Sequence, residues 1–135
     1  MSRYGSKDLK IEFDSTEGGS LADMSNYITS INGVSIEAIL EEGTAFGDTW
    51  LEQLFTGNKQ MADITLGGFY DDTATTGPNA VFVGIGETRS LKVTWGSTKT
   101  TAVETIIKSY ARNPAVKTLT KFQVVLSPTG TVTEA

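Results

Sequence analysis

Ser25-Asn26-Tyr27-Ile28-Thr29-Ser30-Ile31-Asn32-Gly33-Val34-Ser35-Ile36-Glu37-Ala38-Ile39-Leu40-Glu41-Glu42 is the stretch that decides the fold class. Before the Asn-Gly pair, Tyr27, Thr29 and Ile31 fall on one side of an extended chain, and Asn26 and Ser30 fall on the other with Ile28. After it, Val34, Ile36, Ala38 and Leu40 share a face, opposite Ser35, Glu37 and Glu41 with Ile39. A period of two is the signature of a strand with one covered face. Asn32-Gly33 between two such runs predicts a hairpin, because a type I′ turn needs positive φ at both central residues.

The same alternation continues outward in both directions. Leu9, Ile11 and Phe13 interleave with Lys10, Glu12 and Asp14, and Glu17-Gly18-Gly19-Ser20 turns the chain. Between Met61 and Tyr70, Ala62, Ile64 and Leu66 oppose Asp63, Thr65 and Gly67. Leu91, Val93 and Trp95 form another run, closed by Gly96-Ser97. Phe122, Val124 and Leu126 oppose Lys121, Gln123 and Val125, and Pro128-Thr129-Gly130 leads into a polar tail. Residues 101–112 carry two periods: Val103, Ile106, Ile107 and Tyr110 at helical spacing, or Val103, Thr105, Ile107, Ser109 and Ala111 on one strand face. β-Branched content favours the strand.

Two short helices are expected. Asp48 caps Thr49-Trp50-Leu51-Glu52-Gln53-Leu54, with Trp50, Leu51, Leu54 and Phe55 as an apolar stripe ended by Gly57-Asn58. Pro78 opens a second over Asn79–Val83. The sum is all-β: a sandwich or open barrel of about seven antiparallel strands with one or two short helices, in one domain spanning 1–135. No internal repeat of 20–50 residues is present.

Composition bounds the chemistry. The 135 residues include no cysteine, which excludes disulfides and zinc-thiolate sites, and no histidine, which removes the commonest general base and metal ligand. Catalysis is therefore not expected, nor any cofactor. The net charge is −5, from 16 acidic and 11 basic residues, against the basic excess of a protein that grips nucleic acid. No apolar run approaches the roughly 20 residues of a membrane span, and Met1–Lys10 lacks the apolar core of a signal peptide. A soluble product is expected.

The residues that invite a chemical reading have plainer ones. Asp71-Asp72 with Thr73, Thr75 and Thr76 suggests hard-cation ligands, but the central Gly and closing Glu of an EF-hand are missing, so a capped turn is expected. Gly84-Ile85-Gly86 hints at a phosphate loop without GxGxxG or GK[ST], and reads as a helix exit. Glu41 and Glu42 point to opposite strand faces and cannot share a substrate bond. Trp50 and Trp95 suit either sugar stacking, in a carbohydrate-binding or adhesin-like sandwich, or core and interface anchoring. Lys10, Lys59, Lys92, Lys99, Lys108, Lys117 and Lys121 are spread along the chain, which serves solubility or subunit contacts.

Four segments in order resemble the major tail tube proteins of bacteriophages with long non-contractile tails (siphophages). Asp23-Met24-Ser25-Asn26-Tyr27-Ile28-Thr29-Ser30 through Gly33 is similar to their D-x-S-x-Y-x-T-S…G opening. Thr44-Ala45-Phe46-Gly47-Asp48-Thr49-Trp50 is similar to T-x-x-G-D-x-W/A. Ile64 to Ala74, through Gly77-Pro78, is similar to F-x-x-x-F-D-D…G-P, with Gly67-Gly68 departing where bulkier residues are expected. Thr120 to Gly130 resembles the closing F-x-x-x-L-x-P-x-G strand.

The resemblance implies a homohexameric ring, stacked into a tube whose inner wall is one β-barrel shared by all subunits. It implies a virion tail assembled in the host cytoplasm, with no membrane partner. A tape measure protein would occupy the lumen, a tail terminator one end and a distal tail or baseplate protein the other. Genomic DNA would pass through without specific binding; six copies at −5 each give −30 per ring. On this expectation residues 25–42 and 61–70 form the lumen sheet, with Glu37, Glu41 and Asp63 facing the channel. Phe46, Asp48, Trp50 and Leu54 in the 43–57 segment, and both termini, make ring-to-ring contacts. A related tube protein of a secretion system or contractile phage would share this architecture.

Overall fold

Inward-facing Ile11 and Phe13 begin the core in β1 (Lys10–Asp14), the first element of a computed structural model that describes residues 9–16, 18–47, 49–73, 77–96 and 98–135. There follow β2 (Leu21–Asp23), β3 (Ile28–Asn32), β4 (Ile36–Glu42), β5 (Gln53–Met61), β6 (Ile64–Phe69), α1 (Pro78–Phe82), β7 (Thr88–Trp95), β8 (Lys99–Asn113) and β9 (Lys121–Glu134). Seven strands make one antiparallel sheet in the order β2-β1-β7-β8-β9-β6-β3, and β4 and β5 make a separate two-stranded ribbon.

β8 and β9 are the longest strands and belong to both halves of the sheet. β7 pairs with β8 as far as Ile106, and β6 pairs with β9 as far as Leu126. The sheet therefore divides into an outer part around β2, β1 and β7 and a four-stranded part made of β3, β6, the start of β9 and the end of β8. It curls about a single core in which Phe13, Leu91 and Val93 from one part join Ile64, Leu66, Phe122, Val124 and Leu126 from the other. The predicted all-β open barrel is the observed architecture.

A bulge in β8 explains the two competing periods. Thr101, Val103, Thr105 and Ile107 are buried, and Ile107 pairs with Leu126. The next pair is Ser109 with Val125, so Lys108 is an extra residue and the buried parity moves to Tyr110. Such an insertion re-aims the side chains that follow it. The strand reading of 101–112 holds, with a change of face in its middle.

α1 plugs the curl. Pro78 stands at its first turn, where the missing N–H costs nothing, and Val81 and Phe82 are fully buried. The Phe82 ring lies 5.1 Å from Phe13, 5.6 Å from Phe122 and 6.1 Å from Tyr110. Arg89, only 4% exposed, ties this helix to the sheet. Its Nη1 donates to the Val81 carbonyl (3.0 Å) and the Asp14 carbonyl (3.1 Å), and its Nη2 pairs with Glu87.

Three expectations change. Asn32-Gly33 does not close a hairpin: β3 pairs with β6, and β4 with β5. Gly33 has the positive φ, 91°, but among the described residues only Lys117 combines a positive φ with a side chain, so Asn32 fails the type I′ requirement. Instead the Ser35 N–H donates to the Gly33 carbonyl at 2.9 Å, and a Cβ on Gly33 would stand 2.3 Å from the Asp63 carbonyl oxygen. Gly33 is a kink packed against the opposite strand. Second, no helix forms over 49–54. The Gly43 N–H donates to the Glu52 carbonyl and the Glu52 N–H to Thr44 Oγ1, so these residues turn between β4 and β5; Asp48 lies outside the described residues. Third, the bulkier residues expected at Gly67-Gly68 would not fit. A Cβ on Gly68 would sit 1.9 Å from the Tyr27 carbonyl oxygen, where β3 crosses close at its own bulge.

Candidate assembly surface

Pair register shows what the Asn32-Gly33 region is. Asn32 pairs with Thr65, and Ile36 with Met61, so three residues intervene on each strand. β3–β4 and β5–β6 are one long hairpin, kinked at 33–35 and 62–63, with its base in the sheet and its outer half projecting as an arm. A second bulge, Thr56-Gly57-Asn58 against Ile39, twists the arm further, with Gly57 at φ 92° and Thr56 Oγ1 donating to the Ile39 carbonyl.

Every residue of β4 is exposed, and so is every residue of β5 except Met61. Residues paired directly across strands share a face. One face therefore carries the pairs Ile36–Met61, Ala38–Lys59 and Leu40–Phe55, mostly apolar, and the other Glu37–Gln60 and Glu41–Leu54. Met61 packs on the core's edge, which places the apolar face on the core side, over a groove of about 660 Å³ against Pro128–Glu134 of β9. At the tip, Phe46 is fully exposed, Trp50 is 82% exposed and Leu51 76%. A lone two-stranded ribbon with bare apolar side chains is marginal in water.

Of the residues expected to make contacts, Phe46, Trp50 and Leu54 are all on this arm. Glu37 and Glu41 share its polar face. Asp63 lies at the kink, where its carboxylate accepts from Lys108 Nζ at 2.9 Å; that hydrogen bond holds it below the usual carboxylate range. Asn32 and Gly33 are the kink itself.

The four-stranded part has two bare margins. Among the described residues, β3 has no partner on its far side, and β8 beyond Ile107 has none opposite β9. The face of this part turned away from the core is read from its pairs: Asn32 with Thr65, Ser30 with Gly67, Gly67 with Gln123, and Gln123 with Ala111. Apart from Val125, between Thr65 and Ser109, it is small, polar and uncharged until Lys121 at one end and the Asp63–Lys108 pair at the other. The sequence signal for residues 108–113 as a contact surface is the parity slip after Ile107, which marks where β8 leaves β7.

The chemical readings resolve into local structure. The Asp71 carboxylate accepts from both the backbone N–H and the hydroxyl of Thr73, which lowers its pKa; this is a capped turn. Gly86, at φ 87°, ends the exit from α1. The Trp95 indole donates to Thr101 Oγ1 at 2.8 Å, whereas Trp50 stands on the arm, so the tryptophans belong to different elements. Among the described residues no group of three or more His, Cys, Asp or Glu is placed to hold a metal ion. No described helix is long and apolar enough to cross a membrane.

No known family model matches the chain, and no curated protein matches it by sequence. Solved structures do match in fold. A chain from the tail of an empty gene transfer agent particle, refined helically with C6 symmetry, superposes with a TM-score of 0.80 at 19% identity, covering 98% of this chain and 99% of that one. A chain from the virion of a native gene transfer agent particle gives 0.79 at 16%, covering 98% and 99%. A chain from the six-fold symmetrised baseplate of the anti-feeding prophage gives 0.75 at 8%, covering 100% and 97%.

Proposed function

We propose that the protein is a structural, non-enzymatic tail tube subunit that assembles with copies of itself into hexameric rings and stacks them into a tube. The observation that carries this is the pair of bare margins on the four-stranded part. β3 of one copy and the end of β8 of the next are different edges of one sheet, so pairing them is head-to-tail, the kind of contact that makes a ring when the rotation closes. The shared barrel leaves no margin open, which removes the liability of unpaired strand edges. Likeness in fold to chains of six-fold tail assemblies supports this reading; the siphophage assignment rests on the sequence motifs alone.

In such a ring the polar face of Ser30, Asn32, Thr65, Gly67, Ala111 and Gln123 lines the channel. Neutral hydroxyl and amide groups give phosphates nothing to hold, and the only acid at the kink is already matched by Lys108. Met61 turns the arm's apolar side coreward, so Glu37 and Glu41 continue the channel side of the wall, and apart from Lys121 at the far end DNA meets neutral or repelling groups. A tape measure protein, a terminator and a distal tail or baseplate protein complete the assembly, in a virion built in the host cytoplasm.

The test is to replace Ile36–Met61 by a two-residue Asn-Gly turn joining Ser35 to Ala62, which face each other across the kink. Negative-stain images of the parent protein should show tubes, and the shortened chain should fold but yield rings or monomers. A parent protein that remains monomeric at high concentration would refute the assignment.

A further inference from the structure

The two ends of the four-stranded part differ in charge. The arm leaves at the Ile64 end and carries Glu37, Glu41, Glu42 and Glu52 against a single lysine, Lys59. The β8–β9 turn lies at the opposite end, since Asn113 and Phe69 both pair with Lys121. There Arg112, Lys117 and Lys121 stand within ten residues that include no acid, beside Val116 (89% exposed) and Leu119 (69%). Among the described residues neither Lys117 nor Lys121 joins an ion pair.

Backbone geometry singles out Lys117. It has φ 67° at the third position of the turn Ala115–Thr118, closed by the Thr118 N–H to the Ala115 carbonyl at 3.3 Å. That position is one where glycine or asparagine ordinarily stands. A lysine kept at a strained turn points to a use for its side chain.

We infer that the β8–β9 turn is the docking site for the arm of a second copy in the adjacent ring, with Lys117 and Lys121 meeting Glu37 and Glu41, and Val116 and Leu119 covering the apolar tip around Trp50. This rests on the stacked-ring reading and names the acceptor that reading leaves open. Lys121, Glu37 and Glu41 lie on one side of the wall, so head-to-tail stacking brings them side by side across the seam. Charge fixes the polarity: two arms, or two turns, repel.

Charge reversal tests it. Glu37→Lys with Glu41→Lys, and separately Lys117→Glu with Lys121→Glu, should each raise the critical concentration for tubes at least about tenfold. All four together should return it to within about threefold of the parent. Lys117→Gly keeps the turn and loses the charge; it should leave monomer unfolding unimpaired and still weaken tubes. The chain has no cysteine, so Glu41→Cys with Lys117→Cys should give, on oxidation of tubes, a ladder of covalent oligomers. Normal tubes from the turn reversal, or no rescue and no ladder while rings and tubes still form, would overturn this docking site alone. No rings, tubes or ladder from any chain would overturn the ring reading with it.

Discussion

Trp50→Ala separates assembly from folding. At 82% exposure in the single chain, and with a tryptophan burying about 150–250 Å² when covered, roughly 120–200 Å² of Trp50 awaits a partner. At about 25 cal/mol per Å² this is worth about 3–5 kcal/mol, and ordering the side chain returns about 1 kcal/mol. A net contribution of about 2–4 kcal/mol per contact corresponds to a rise in critical concentration of roughly 30- to 700-fold. Folding of the dilute chain should change by no more than about 0.5 kcal/mol, because an exposed side chain contributes little there. Sedimentation across a dilution series measures the first quantity and urea unfolding below the critical concentration the second. The reasoning fails if tubes form at the parent concentration, or if the unfolding free energy drops by the same 2–4 kcal/mol, which would place Trp50 in the monomer's own packing.

Gly68→Ala drives a Cβ into the Tyr27 backbone, where no rotamer gives relief, so it should lower stability by about 1–3 kcal/mol in urea and displace the β3 margin, abolishing rings at concentrations that suffice for the parent. Arg89→Met leaves the Asp14 and Val81 carbonyls without their donor at a buried site; at about 1–3 kcal/mol per orphaned group the loss should be at least 2 kcal/mol, read from the unfolding midpoint. The Asp63 carboxyl should titrate by NMR below the ordinary value of 3.8, and Lys108→Ala should move it back up. Because its folded pKa is depressed, whatever stability it adds is present above the ordinary value and is lost as acid takes pH down through the folded pKa.

The core was legible because its signals are local. Ile11 and Phe13, Ile64 and Leu66, Leu91 and Val93, and Phe122, Val124 and Leu126 alternate along single strands, and every one of them is buried. Pro78 announced α1. The bulge at Lys108 was half legible: the strand face holds as far as Ile107, and beyond the insertion Ser109 and Ala111 turn outward while Tyr110 turns in.

What the sequence concealed is pairing. Asn32-Gly33 has the composition of a tight turn, yet a glycine with positive φ serves a kink equally well, and the choice depends on residues 53–69, far along the chain. Once β5 is seen to return on β4, the hairpin's true end is the 43–52 loop, and Trp50 belongs to that tip and Leu54 to β5, not to a helical stripe. The alternation in 36–42 is that of a strand with one covered face, but the single chain leaves both faces bare. In the proposed tube, a second copy supplies the burial that the folded monomer lacks. On the proposed assembly, the arm's alternating residues are read correctly only in the stacked rings, where Leu40, Phe55 and the Trp50 tip have neighbours and Glu37 and Glu41 have lysines beside them.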